Sequence, residues 1–395
     1  MATMAGSVIL AGARTPIGKL SGALGGFAAT DLGGFAIKAA LDRAGVEPDQ
    51  VDYVFMGQVL QAGAGQITAR QAGANAGIPM TVPATTVNKV CLSGLNAIFL
   101  ADLLIQSGAA DIVVAGGMES MTQAPYLLPG AREGYRLGDK SVVDSMMYDG
   151  LFCAFDQVAM GAGTERYAAS AGLERAPQDD LAAKSHERAA AAIKEGRFAD
   201  EIVPVEVPQR KGDPVVVDTD EGVRPGTTTD SLSKLRPAFD KAGNITAGNA
   251  SQISDGAAAV IVVSKATAER LGVQPLGEIL GYGQVAGPDP SLLTQPSRAI
   301  NAALESAGKS VGDIDLFELN EAFAAVGLAS MTDLGITDEV VNVNGGAIAL
   351  GHPVGMSGTR LALTLMHELK RRGGGTGAAA LCGGGGQGDA ILLSV

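Results

Sequence analysis

AIKAALDRAGVEPDQVDYVFMGQV, residues 36–59, returns without a gap as AINAALESAGKSVGDIDLFELNEA, residues 299–322, at an offset of 263. Gly45 falls on Gly308, Val51 on Ile314 and Asp52 on Asp315. Each copy reads as an Ala-rich helix, a glycine stop and a short apolar strand. A looser match pairs SGLNAIFLADLLIQSGAADIVVAGG (93–117) with SGTRLALTLMHELKRRGGGTGAAALCGG (357–384), each a Ser-Gly, an apolar helix, a glycine break and an apolar strand. Two copies of one βα unit, in the same order in each half, imply a pseudo-twofold molecule. The cleft between the copies is the natural place for a site.

Outward from the repeat, SVILAG, DLGGFAIKAALDRAG and VDYVFMG alternate strand and helix, which predicts an α/β protein with a substantially parallel sheet. Residues 123–248 carry more charge and more turn signals. There KSVVDSMMYDG (140–150) and EGVRPGTTTDSLSKLRPAF (221–239) read as elaborations over a site, and DDLAAKSHERAAAAIKEG (179–196) as an amphipathic helix. ISDGAAAVIVVS (253–264) then rejoins the first half as a core strand. The expected division is 1–122 with 249–275 as the N-terminal half, 123–248 as an inserted loop domain, and 276–395 as the C-terminal half.

With 46% hydrophobic residues the chain has ample material for a large core, and its 55 glycines show no three-residue period. A net charge of −13 argues against a nucleic-acid partner, so the contacts to any anionic ligand must be local. PQRKGD (208–213), followed by Arg224, Lys234 and Arg236, is one such locality. The N-terminus lacks the basic flank of a signal peptide and reads as a first strand, and no apolar run approaches the roughly 18 residues of a membrane span. Three cysteines without paired spacing suit a reducing compartment, taken as cytoplasmic, and neither a disulfide framework nor a metal site.

Two of those cysteines occupy the most unusual local sequences. Cys91 in NKVCLSG stands at the start of an apolar helix, where exposed amides and the dipole favour a thiolate. Such placement can lower a thiol pKa from about 8.5 to roughly 7 or below. His352 is held in the glycine-rich loop GGAIALGHPVGMSG (345–358), whereas His186 and His367 lie on ordinary helical patterns and read as structural. Cys382 ends GAAALCG and opens the run Gly383 to Gly386, where bare backbone amides can converge on an oxyanion. Asn320, in LFELNEAF, ends a strand. Cys153, in GLFCAFD, reads as packing.

NxxCxSG, NEAF, GGAIALGHPxG and CxGGGxG, in this order and with this repeat, resemble the thiolase family over essentially the whole chain. VILAGARTPIGK (8–19), VAGGMESMTQAP (114–125) and TAGNASQISDGAAAV (246–260) look most like the acetoacetyl-CoA thiolases within it. The resemblance implies a five-layered αβαβα fold and reversible Claisen condensation of two acetyl-CoA molecules to acetoacetyl-CoA and CoA. Cys91 would carry the acyl group, His352 would activate it, and Cys382 would take the α-proton of the second acetyl-CoA. His352 with a water on Asn320 would form one oxyanion hole, and the amides of Cys91 and Gly384 the other.

The resemblance also implies that the inserted segment is a CoA-binding loop domain, with Ser251, Phe239 and Met160 along the pantetheine arm and Arg224 near the adenine end. It implies no metal and no cofactor beyond the CoA thioester substrates, and a homotetramer built as a dimer of dimers. A degradative 3-ketoacyl-CoA thiolase of broader chain length is the nearest alternative, followed by a ketoacyl synthase, which would lack the second cysteine, and a non-catalytic CoA-binding relative. Met356, Gly383 and Ala159 depart from the common pattern and are expected near the acyl or pantetheine pocket.

Overall fold

A computed structural model describes residues 7–395. The quoted repeat folds twice into the same unit. Helix α1 (Ala29–Ala44) ends at Gly45 with φ 63°, and α6 (Gln295–Ala307) ends at Gly308 with φ 64°. Only glycine takes this left-handed cap without strain. A 3₁₀ turn follows each, and then strands β2 (Tyr53–Gly57) and β7 (Leu316–Leu319). The matched aspartates do the same work: Asp52 accepts the Asp111 and Ile112 amides at 2.7 and 2.9 Å, and Asp315 accepts the Thr376 amide at 2.8 Å. Those amides open β4 (Ile112–Ser120) and β8 (Thr376–Gly383). The looser match is also structural, since Ser93 and Ser357 begin helices α3 (Ser93–Gln106) and α8 (Ser357–Arg371).

The remaining strands of the main sheet are β1 (Ser7–Arg14), β3 (Ala84–Val87), β5 (Ser254–Ser264), β6 (Gly277–Ala286) and β9 (Gln387–Ser394). Their order is β7-β8-β9-β6-β1-β5-β4-β2-β3, so β1 against β6 is the seam and each half repeats the other outward from it. The sheet is mixed rather than substantially parallel. Only β2 with β3, β2 with β4, and β7 with β8 run parallel, while β1, β5, β6 and β9 pair antiparallel. One of these antiparallel pairs has a local cause: three glycines join β8 to β9, too few for the crossover a parallel pair requires.

The layers follow from which side each strand residue faces. On β4, Ile112 and Val114 pack with α1 residues Leu32, Ile37 and Leu41, whereas Val113 and Ala115 pack with Leu95 and Ile98 of α3. On β8 and β9, Ala379, Leu381, Ile391 and Leu393 join that same inner cluster with Leu361 and Leu365 of α8, while Ala378, Ala380 and Leu392 face Ile300 and Leu304 of α6. Helices α3 and α8 thus form the middle layer between two sheet halves, with α1 and α2 (Thr68–Asn75) outside one half and α6 with α7 (Ala324–Leu334) outside the other. This is the five-layered αβαβα arrangement.

Between β4 and β5 the chain makes short hairpins and two longer helices, α4 (Met160–Ser170) and α5 (Arg175–Lys194). Arg14, fully buried on β1, fastens this segment through Glu201 (2.7 Å) and Asp220 (2.7 Å) and stacks on Phe198. Among the described residues no helix is long and apolar enough to cross a membrane.

Candidate active site

Helices α3 and α8 meet at their N-termini, and side chains are excluded there. A Cβ on Gly94 would stand 2.9 Å from the Gly355 carbonyl oxygen, and one on Gly358 would stand 2.5 Å from the Leu95 nitrogen. The close crossing brings the loop before α3, with Cys91, beside the loop before α8, with His352. Val90 is held at φ 52°, strained for a β-branched residue. Asn88 Oδ1 accepts its amide at 3.1 Å and Ser93 Oγ donates to its carbonyl at 2.6 Å, which explains the Asn and Ser of NKVCLSG. Lys89 pairs with Asp389 of β9 at 2.7 Å and so ties the Cys91 loop to the hairpin carrying Cys382 and Gly384.

The Cys91 sulfur receives the amides of Cys91 itself and of Gly384. Burial nevertheless pushes the thiol up to about 12, with the Glu119 carboxylate adding to the shift. The expected resting thiolate is therefore corrected. Cys91 precedes the first helical residue by two positions in a largely dry site, and desolvation of the anion outweighs the amides and dipole. Cys382, buried at the end of β8, is raised by burial and by its neighbour Cys91.

His352 is driven down to about 3 by burial and by Arg360, and is neutral at ordinary pH. Its Nδ1 lies 2.6 Å from Ser357 Oγ and its Nε2 3.4 Å from Asn320 Nδ2. Asn320 is fully buried, its backbone amide continues the β7 to β8 ladder at 3.0 Å, and its Oδ1 has no partner among the described residues. Buried Glu119 accepts the amides of Val59, Leu60 and Gly355 at 2.9, 3.1 and 3.0 Å, clamping the His352 loop onto the N-terminal half. Burial places its carboxyl at about 7.

A cavity of about 520 Å³ opens above this centre. Met160, Phe239, Ser251, Arg224 and His352 all line it, so the structure brings the expected binding residues together. Neither thiol lines the cavity itself: each belongs to an apolar cluster that backs its wall, Cys91 with Met121, Leu151 and Val354, and Cys382 with Met160, Ala322 and Phe323, all six of which line it. Of the basic residues around 208–236, only Arg224 reaches the cavity. Lys234 is paired with Asp230 at 2.7 Å, and Lys19, the last residue of VILAGARTPIGK but not singled out from sequence, lines the rim.

Of the three departures, Ala159 lines the cavity and the other two do not. Met356 is packed with Ile17, Ala258 and Leu350, and a Cβ on Gly383 would meet the Leu92 side chain at 2.6 Å, inside the protein core. Cys153 is buried, its sulfur accepting the Asp156 amide, and His367 is half-buried in α8. Ser357, Glu119, Lys89 and Asp389 were not singled out from sequence. The first three sit inside quoted motifs, whereas Asp389 gives no local signal.

A fold of two fused βα halves, with a thiol, a neutral imidazole and a second thiol at their junction, is that of a cysteine-dependent acyl-transferring enzyme. The descriptions "Thiolase, N-terminal domain" and "Thiolase, C-terminal domain" match residues 7–266 and 273–395, and the chain belongs to the thiolase family. It is 58% identical over 386 residues to "Probable acetyl-CoA acetyltransferase" of Mycolicibacterium smegmatis, covering 98% of this chain and 100% of that one. It is 53% identical to "Acetyl-CoA acetyltransferase" of Cupriavidus necator and 51% identical to the protein of that name from Pseudomonas aeruginosa, each alignment covering 98% of both chains.

Proposed function

We propose that the protein is an acetyl-CoA C-acetyltransferase that condenses two acetyl-CoA molecules reversibly to acetoacetyl-CoA and CoA. The observation that carries the chemistry is the line Ser357–His352–Asn320, with the Cys91 sulfur beside the amides of Cys91 and Gly384. In the first half-reaction Cys91 attacks the acetyl-CoA carbonyl while its proton passes to neutral His352, and CoA departs with that proton. In the second, Cys382 passes its own proton to neutral His352 and, as the thiolate, takes a proton from the α-carbon of the incoming acetyl-CoA. The carbanion attacks acetyl-Cys91, and the expelled Cys91 sulfur recovers the proton from His352 as acetoacetyl-CoA forms. Reversal cleaves a 3-ketoacyl-CoA with CoA.

Each developing oxyanion requires donors, and loss of one costs about 3 kcal/mol of barrier. The Cys91 and Gly384 amides serve one. Protonated His352 and a water on Asn320 Oδ1 serve the other, supported by that buried oxygen having no other partner among the described residues. The inserted segment 123–248 forms the CoA-binding loop domain between halves 1–122 with 249–275 and 276–395. Within the CoA site Met160, Phe239 and Ser251 flank the pantetheine arm and Arg224 meets the anionic nucleotide end. No cofactor or metal takes part. A cytoplasmic location and a homotetramer built as a dimer of dimers complete the proposal, on the strength of the family and, for location, of three free thiols.

Thiolysis of 3-ketoacyl-CoA substrates of increasing length tests it. Activity should be greatest with acetoacetyl-CoA and fall beyond four carbons; a flat or rising profile would assign the protein instead to the degradative thiolases of broader chain length.

A further inference from the structure

His186 stands outside the catalytic centre, on the buried face of α5, yet it touches the substrate cavity through the backbone. Its Nδ1 accepts the Arg224 amide at 3.1 Å, so the ring is neutral and carries its proton on Nε2. Burial and the Arg224 charge hold its pKa down at about 4. The hydrogen bonds of Arg224 among the described residues all run through its backbone, leaving the guanidinium open on the cavity rim.

The helix that carries His186 is itself fixed to the catalytic loops by the preceding residue. Ser185 Oγ donates to Glu321 at 2.7 Å, next to Asn320, and accepts the Gly346 amide at 3.0 Å, in the loop leading to His352. The turn before Arg224 is held by Gln252, whose Nε2 donates to the Gly222 carbonyl at 2.9 Å and whose own carbonyl accepts the His352 amide at 3.0 Å. Adjacent residues of one helix turn therefore connect the exposed cation at the mouth of the cavity to the groups at its floor.

We propose that His186 is a positioning residue for substrate binding: by accepting the Arg224 amide it sets the Arg224 guanidinium at the distance from the catalytic loops that the phosphate-bearing nucleotide end of a CoA thioester requires. The inference deepens the proposed function and rests on its assignment of Arg224. It differs from a general packing role in one respect, because it acts on a part of the substrate that can be removed.

The test compares acetyl-CoA with S-acetylpantetheine, which keeps the reacting thioester and lacks the nucleotide. His186→Leu, which removes the acceptor, should raise KM for acetyl-CoA about fivefold with kcat unchanged and leave S-acetylpantetheine kinetics unaltered. His186→Asn, whose Oδ1 falls near the place of Nδ1, should restore the wild-type KM, whereas His186→Gln should not. If His186→Leu does not fold, the Asn and Gln variants decide the point. Equal effects on both substrates, a fall in kcat, or no effect of removing the acceptor would overturn the inference, provided Arg224→Ala raises KM for acetyl-CoA alone. If Arg224→Ala fails to discriminate between the substrates, the assignment of Arg224 falls and takes the inference with it.

Discussion

His352 Nδ1 and Ser357 Oγ are 2.6 Å apart, and the Ser357 hydroxyl is already committed as a donor to the Pro353 carbonyl at 2.9 Å. The serine can therefore only accept from the ring. That places the imidazole proton on Nδ1 and leaves Nε2 bare on the side of Asn320, the tautomer a base at Cys91 requires.

Ser357→Ala removes the acceptor that selects this tautomer without touching the substrate cavity. A fall in kcat of about tenfold to a hundredfold, with KM unchanged, is expected from steady-state thiolysis. An unchanged kcat would show that the tautomer is fixed by something else.

The resting state is a neutral thiol beside a neutral imidazole, since burial raises Cys91 to about 12 and lowers His352 to about 3. A thiol whose pKa lies far above the working pH gains thiolate tenfold per pH unit. Alkylation of Cys91 by iodoacetamide, followed on its own peptide by mass spectrometry, should thus rise about tenfold per unit between pH 7 and 9. A plateau at neutral pH would indicate a preformed thiolate–imidazolium pair.

Much of this was legible because the chain repeats itself. Gly45 and Gly308, or Asp52 and Asp315, are the same local solution written twice, whereas the five layers were expected only from the family resemblance. Strand direction was not legible, since nothing in SVILAG or ISDGAAAVIVVS says which neighbour it will meet. The identity of the site residues could be read from local motifs, but their ionisation could not. The Cys91 pKa is decided by burial contributed from both halves, and the dipole visible in NKVCLSG is the smaller influence. Met356 sits in a quoted motif and still turns into the core, because sequence spacing gives the loop and tertiary packing gives the direction of the side chain. The pairing of Lys89 with Asp389, 300 positions apart, is closed only by the fold.

The two thiols should separate the two half-reactions. Cys382→Ala is expected to retain labelling of Cys91 from radiolabelled acetyl-CoA while losing about a thousandfold in condensation, because only the second half-reaction uses the α-proton acceptor. Cys91→Ala should take no label. Loss of label in a folded Cys382→Ala protein would place Cys382 in the first half-reaction as well.

Arg14 offers a test of what holds the inserted segment in place. Its guanidinium is fully buried, forked onto Asp220 at 2.7 and 3.0 Å and bonded to Glu201 at 2.7 Å. Burial disfavours its charge, but the two carboxylates more than offset this and leave its pKa above the usual range. Removing one member of such a cluster strands the others. Arg14→Met leaves Glu201 and Asp220 buried without a counter-charge and should cost about 3–5 kcal/mol in denaturant unfolding. Adding Glu201→Gln removes one stranded charge and should recover part of that loss, although Asp220 still accepts the Ile17 amide at 2.7 Å and cannot be relieved in the same way. A loss below about 1 kcal/mol for Arg14→Met would mean that water reaches these carboxylates and that the cluster is not what fastens residues 198–220 to the first strand.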